Sequence, residues 1–273
     1  MGLYSMINGM MKILAIGDIV GISGSEYIRK YLWKIRTDQK IDFTIANGEN
    51  AAKGNGLDVE TAKLLFSSGV DVLTSGNHIW NKREIRAYLE NETNVLRPAN
   101  YPDSCPGNGY CITEICGYRF LVLSLLGTVY LESLESPFTT ADRILKNENG
   151  NYDFSLIDFH AEATSEKQAL AKYLDGRVNI VFGTHTHVQT ADEKILPHGT
   201  AFITDLGMTG PYNSILGIKN EIIIEKFLTK MPVRFEEGDG EVELCGAVFT
   251  LDLKSKSITD IQRIKLLGNP MLS

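Results

Sequence analysis

The chain has little from which to build a thiol framework. Its four cysteines, Cys105, Cys111, Cys116 and Cys245, include no CxxC pair. That disfavours a disulfide scaffold or a thiolate metal site and leaves reduced, part-buried small hydrophobes. Histidine is also scarce, with five in 273 residues, so any clustering of imidazoles carries weight. No apolar run in the sequence reaches the length of a membrane helix, about 20 residues. Positive charge is in deficit: 27 Lys and Arg stand against 34 Asp and Glu, a net charge of −7 with no basic cluster. An acidic surface of this kind argues against a nucleic-acid duplex as partner. A small anionic substrate stays open, because bound divalent cations invert the local field. Residues 17–24 are glycine-spaced after an apolar run, yet they match neither the dinucleotide fingerprint nor the P-loop.

What is present is the composition of an ordinary globular protein, 43% hydrophobic and 22% charged, with no repeat or linker to divide it. Residues 1–10 have no basic n-region and no cleavage pattern, and Met6 stands where a myristoylation signal needs Ser or Thr. They are expected to form an extension ahead of the first strand, with residues 11–273 as one domain. The cytoplasm is the expected compartment, and a homo-oligomer is left open.

Periodicity predicts strands over residues 12–16, 42–46, 70–74, 154–159, 178–182 and 200–204, and a hairpin over 110–115 and 119–126. Helical spacing falls at 23–36, 58–68, 137–146, 164–174 and, weakly, 221–228. Residues 241–251 and 257–266 read as a closing strand pair, and 207–211 as a glycine-rich loop. Strands alternating with helices imply parallel units whose carboxyl ends share one edge. The later hairpins make the expected fold an α/β sandwich of two mixed sheets flanked by helices.

Each early strand closes on a polar cluster. Gly183-Thr184-His185-Thr186-His187 lies beyond the strand predicted at 178–182, and histidines two apart on extended chain project to one side. Asp18, Glu49 with Asn50, Asn77 with His78, and His160 end the other strands. Two carboxylates, two amides and several imidazoles are about the donor set that two metal ions 3.5–4 Å apart require. Asp205 is a candidate supporting residue, Thr209 and Gly210 are candidates to line a substrate pocket, and Tyr101, Tyr130 and Tyr212 could stack a base or fill core. His198, between Pro197 and Gly199, reads as a solvated turn residue.

The order of these clusters resembles the calcineurin-like metallophosphoesterases. Residues 17–21 (GDIVG), 47–51 (NGENA), 97–102 (RPANYP), 158–164 (DFHAEAT), 183–192 (GTHTHVQTAD) and 204–211 (TDLGMTGP) look more closely like the bacterial YmdB-type subfamily. The resemblance runs from about Met11 to the end of the chain. It implies the four-layer sandwich of that superfamily. It also implies a di-iron centre and hydrolysis of 2′,3′-cyclic nucleotides to 3′-nucleotides by a metal-bridging hydroxide. Where the broad superfamily has Asp-x-His this chain has Asp18-Ile19-Val20, and Asn47-Gly48-Glu49-Asn50 replaces Gly-Asp-x-x-Asp. One imidazole is therefore missing and Glu49 takes the bridging position.

Carried over by position, Asp18, Glu49, Asn50 and His187 would hold one metal, and Glu49, Asn77, His160 and His185 the other. Iron is implied by the resemblance, and the ligand types equally admit manganese or zinc. His78 would be the proton donor to the leaving ribose oxygen, with a purely orienting role toward Asn77 as its alternative. The competing function is a regulatory or scaffold protein with a structural or redox di-metal site and incidental hydrolysis.

Overall fold

In the computed structural model, which describes residues 9–269, the apolar runs predicted from periodicity are buried on both faces and alternate between two cores. Strand β1 (Met10–Ile16) sends Met11, Ile13 and Ala15 to one side and Leu14 and Ile16 to the other. Strand β3 (Phe43–Asn47) does the same with Phe43 and Ile45 against Ala46. In the second half, β6 (Tyr118–Leu126), β7 (Phe154–His160) and β8 (Ile180–Thr184) send Phe120, Val122, Phe154, Leu156, Ile180 and Phe182 inward. Their alternate residues, among them Leu121, Leu123, Ile157 and Val181, meet a separate core. A two-residue period buried on both faces means each sheet is covered on both sides.

The covers are helices. Tyr27, Ile28, Tyr31, Leu32 and Ile35 of α1 (Gly21–Gln39) join Ala62 and Leu65 of α2 (Val59–Ser67) over the first sheet. Asp58 caps α2 by accepting from Thr61 N at 2.8 Å. Ile85 and Leu89 of the short α3 (Ile85–Leu89) extend that layer. Over the second sheet lie α4 (Pro137–Asn147) and α5 (Thr164–Tyr173), through Ala141, Ile144, Leu170 and Ala171. The result is the expected four-layer α/β sandwich of two mixed sheets between helices. The sixth helix, α6 (Asn220–Thr229), buries only Ile223.

The first sheet runs β2 (Asp18–Ile19), β11 (Met208–Pro211), β12 (Val242–Asp252), β1, β3 and β4 (Val72–Thr74), with β13 (Ser257–Leu267) paired to β12. The second runs β5 (Tyr110–Ile115), β6, β7, β8, β10 (Ala201–Ile203) and β9 (Lys194–Ile195). Within them β1, β3 and β4 are mutually parallel, as are β6, β7, β8 and β10. Their carboxyl ends supply every candidate site residue.

Three local expectations change. Residues 208–211 form a strand rather than a loop, pairing Met208 with Asp18 and Thr209 with Leu244. Thr209 is buried there, its carbonyl accepting from Val20 N at 2.9 Å, so it braces the chain behind the site instead of lining a pocket. Met10, assigned to the N-terminal extension, is the first residue of β1 and pairs with Asp252; residues 1–8 of that extension lie outside the described residues.

The inter-sheet core is the cohesive layer. Phe154 is fully buried, with its ring centroid 5.1 Å from that of Phe120 and 5.7 Å from that of Tyr118. Phe154→Ala should therefore destabilise the chain by about 3–5 kcal/mol, read by urea unfolding; a loss below about 1 kcal/mol would mean that the sheets do not cohere through this cluster.

Candidate metal centre

Four lone-pair atoms converge at the carboxyl edge of the two sheets. His160 Nε2, at the last residue of β7, lies 3.1 Å from Glu49 Oε1, 3.2 Å from Asn77 Oδ1 and 3.0 Å from His185 Nδ1. Ligands held about 2.0–2.2 Å from one cation stand about 3 Å from each other, so these spacings fit a shared ion. Glu49, His160 and His185 each offer one atom within 4.8 Å of the others. Gly76 makes the approach feasible: a Cβ there would collide with both the His160 ring and Glu49 Oε2.

Hydrogen bonds fix which nitrogen each histidine presents. Thr184 Oγ1 donates to Asp158 Oδ1 at 2.7 Å, so it accepts from His160 Nδ1 at 2.9 Å and leaves Nε2 facing the centre. Asp158 is itself fully buried and also accepts from Thr74 Oγ1 at 2.5 Å and Asn47 Nδ2 at 3.0 Å. His185 is arranged the other way round: its Nε2 lies 2.9 Å from Glu162 Oε2, which frees Nδ1. His187 Nδ1 donates to Leu216 O at 3.2 Å, turning Nε2 inward.

The second group is looser. Asp18 is fully buried and its Oδ2 accepts from His185 N at 2.9 Å. Among the described residues its Oδ1 has no hydrogen-bond partner, and it stands 3.8 Å from both His187 Nε2 and His160 Nδ1. An orphaned carboxylate oxygen at full burial is costly, and a cation beside it removes the cost. Asn50 directs Nδ2 at Glu49 Oε1 (3.0 Å) and His187 Nε2 (3.3 Å) and Oδ1 at His78 Nδ1 (2.9 Å). Its oxygen therefore faces His78 in this arrangement, and inverting the amide would bring the oxygen to the Asp18–His187 side. All eight expected residues thus meet at one edge, with the donor set on the His160 side the more compact.

The histidine pair does not reach the site by strand alternation. The strand ends at Thr184, and His185 and His187 both take positive φ, 101° and 62°. Such conformations cost about 1–3 kcal/mol each. They are held by His185 N on Asp18 and by Thr186 N on Asp205 Oδ2 at 3.1 Å, where Lys167 Nζ also binds at 2.6 Å. Asp205 is accordingly a supporting residue of this loop. His198 lies apart at an exposed turn, 3.0 Å from Asp175. Tyr101 is buried edge-on to Trp80, whereas Tyr130 and Tyr212 are exposed. Glu162, Thr184 and Asp158 were not singled out from sequence. Only the spacing Asp158-x-His160, which puts both on one face of β7, could have flagged Asp158.

Burial disfavours charge throughout this cluster, and the ion pairs decide where it settles. Burial opposes ionisation of Glu49, but His160 and His78 outweigh it and hold the carboxyl well below its usual range. Burial likewise opposes a charge on His160, yet Glu49, Asp18 and Asp158 push the imidazole up to about 9. Burial and the charge on His160 lower His185 to about 4. Burial raises Asp158 to about 6 and also raises Asp18.

The family model for YmdB-like protein matches residues 14–264. The chain belongs to that family. It is 47% identical over 261 residues to a 2′,3′-cyclic-nucleotide 2′-phosphodiesterase of Bacillus subtilis, covering 96% of this chain and 99% of the relative. A crystal structure of a phosphatase from Mycoplasma pneumoniae superposes with a TM-score of 0.89 at 32% identity, covering 96% of this chain and 95% of that one. A 5′-nucleotidase precursor from Thermus thermophilus, at 11% identity, a TM-score of 0.61 and coverage of 97% and 55% respectively, shares the fold alone. Membership places the chain among the calcineurin-like metallophosphoesterases.

Without metal, a proton on His160 Nε2 occupies the position between the converging atoms. His160 is raised from an ordinary 6.5 to about 9, so its stabilising charge is complete below about 6.5 and is lost as pH rises through about 9. Metal-free protein should lose thermal stability over that window while manganese-loaded protein does not, and manganese binding should release protons. A flat metal-free profile with no proton release would contradict this assignment.

Proposed function

We propose that the chain is a metal-dependent phosphodiesterase that opens 2′,3′-cyclic nucleotides to 3′-nucleotides at this site, in the cytoplasm. The observation that carries the reading is the convergence of Glu49, Asn77, His160 and His185 on one point beside the part-exposed imidazole of His78. The activity named for the Bacillus subtilis relative supports it.

The resident group would be two metal ions. Glu49, Asn77, His160 and His185 would hold one, and Asp18, Glu49, Asn50 in its inverted amide sense and His187 the other, with Glu49 Oε1 between the two sets. Imidazole and carboxylate donors suit iron, manganese or zinc, and the family resemblance favours iron. Such ions acidify water and neutralise charge on phosphoryl oxygens.

The chain's own residues supply the rest. Asp158, Thr184 and Glu162 lock the two imidazoles in the tautomers that leave His160 Nε2 and His185 Nδ1 free. With the Asn50 oxygen turned to the metal side, His78 Nδ1 is left to donate to Glu49 Oε1 at 3.2 Å, so Nε2 carries the transferable proton of its imidazolium form. In-line attack of water on phosphorus breaks the P–O2′ bond and O2′ takes the proton from His78 Nε2, while the proton shed by the attacking water passes to solvent, from which His78 is reprotonated. The 3′-phosphate remains on the ribose.

His78→Ala should keep its metals by elemental analysis while kcat on 2′,3′-cyclic AMP falls about 10²–10⁴-fold with KM little changed. Glu49→Ala should lose metal and activity together. Full turnover by His78→Ala would remove it as donor. Survival of the biological effect in metal-replete, inactive His78→Ala would instead favour the regulatory reading.

A further inference from the structure

Beside the candidate centre lies a cavity of about 720 Å³ whose floor is continuous with the ligand-bearing loops. Val20 and Gly21 come just after Asp18, Ala52 and Lys53 just after Asn50, and Gly217 just after Leu216, the acceptor for His187 Nδ1. Two bridges tie these loops together: Gly21 N donates to Asn50 O at 2.8 Å, and Val20 pairs with Asn50. Within roughly 7–8 Å, two residues of chain, the cavity wall meets the candidate ligands.

The charges lining the cavity are unevenly satisfied. Glu237 is engaged, accepting from Ile22 N at 3.1 Å and Ser23 N at 2.8 Å at the start of α1. Glu236 is engaged with Lys219 at 3.0 Å. The cations are not: Lys53 and Arg234 are exposed, and among the described residues neither side chain forms an ion pair or hydrogen bond. Both sit on tethered chain. Lys53 O accepts from Lys82 Nζ at 2.7 Å, and the segment carrying Arg234 is pinned by Lys219 N on Glu236 O and Gly238 N on Gly217 O. Phe235, a residue 46% exposed, also lines the cavity, with Lys226 Nζ 4.6 Å from its ring centroid. A chain of net charge −7 thus presents two free cations and an aromatic ring beside a phosphate-handling centre.

A free 2′,3′-cyclic mononucleotide places its only phosphate at the metal centre and has a neutral 5′-hydroxyl, which leaves Lys53 and Arg234 without a partner. We infer that this cavity takes the 5′-linked phosphate and the preceding base of a short RNA strand, so that the substrate class is the 2′,3′-cyclic phosphate end of oligoribonucleotides. Lys53 and Arg234 face the added phosphate and Phe235 supports the added base, a pairing of cation and aromatic surface that suits single strands. The cavity volume is in the range that holds a ligand of this size. The inference rests on the phosphodiesterase reading for its chemistry.

The test compares kcat/KM of metal-loaded protein on 2′,3′-cyclic AMP, its 5′-phosphorylated form, and the dinucleotide ApA ending in a 2′,3′-cyclic phosphate. The dinucleotide should be favoured at least tenfold over 2′,3′-cyclic AMP, mainly through KM, with the advantage shrinking as salt rises. In the double variant Lys53→Ala/Arg234→Ala that ratio should fall to near one. A ratio near one in the wild type, or a ratio kept by the variant, overturns the inference. An advantage reached in full by the 5′-phosphorylated mononucleotide overturns the strand assignment. Calorimetric binding of the linear products ApAp and 3′-AMP reads the cavity without turnover. Tenfold tighter ApAp binding, lost in the variant, sustains the inference even if no substrate is hydrolysed, whereas equal binding rejects it. Absence of all turnover rejects the phosphodiesterase reading separately.

Discussion

The structure is organised around a repulsion that it does not relieve with its own atoms. Glu49 Oε1, Asn77 Oδ1, His160 Nε2 and His185 Nδ1 all present electron pairs to one buried point about 3 Å across. In a low-dielectric interior such a gathering is unfavourable unless a proton or a cation stands at its centre. The supporting bonds keep the electron pairs aimed inward: Asp158 through Thr184 for His160, and Glu162 for His185. Removing a support would relax the repulsion by letting a ring turn, and the cation site would go with it.

The sandwich supplies the rigidity that this arrangement needs. Parallel strands from both sheets end at the same edge, and the aromatic layer of Phe43, Phe120 and Phe154 between them fixes the distance from Glu49 on one sheet to His160 on the other. The loops that complete the centre carry the conformational cost. Of the non-glycine residues with positive φ, Lys40 and Lys230 end helices, Cys116 and Lys256 turn hairpins, and Asn55 and Tyr130 lie in loops. His185, His187 and Leu216 have no such role and are linked to the site itself. Strain of this kind persists where surrounding contacts over-determine it, here the Asp18 and Asp205 carboxylates with the buried Lys167 ammonium.

Much of this was legible in the sequence because burial on both faces leaves an unmistakable apolar run, and a run of that kind has an end. Asp18, Glu49, Asn77, His160 and His185 each stand just beyond the last apolar residue of such a run. The strand predicted at 178–182 is displaced to Ile180–Thr184, so the inference that His185 and His187 share a side through strand alternation reached the right place by the wrong geometry. Residues 207–211 looked like a loop because glycine and proline dominate them, yet Met208–Pro211 forms a strand held by pairing with Asp18–Ile19 and β12. Local propensity gave way there to partners distant in sequence.

By itself the sequence determined the alternation of apolar runs and polar ends, and with it the layered fold and the kinds of donor atom available, since both arise from side-chain chemistry at fixed spacing. Only the tertiary structure decided which ring nitrogen each histidine presents, which carboxylate oxygen is left unpartnered, and that Lys53 and Arg234 line one cavity with no ion-pair partner among the described residues. Those outcomes depend on hydrogen bonds and distances between residues up to 167 positions apart, such as His185 N to Asp18 Oδ2. No local pattern encodes them, because each is set by where the packing of two sheets brings the chain.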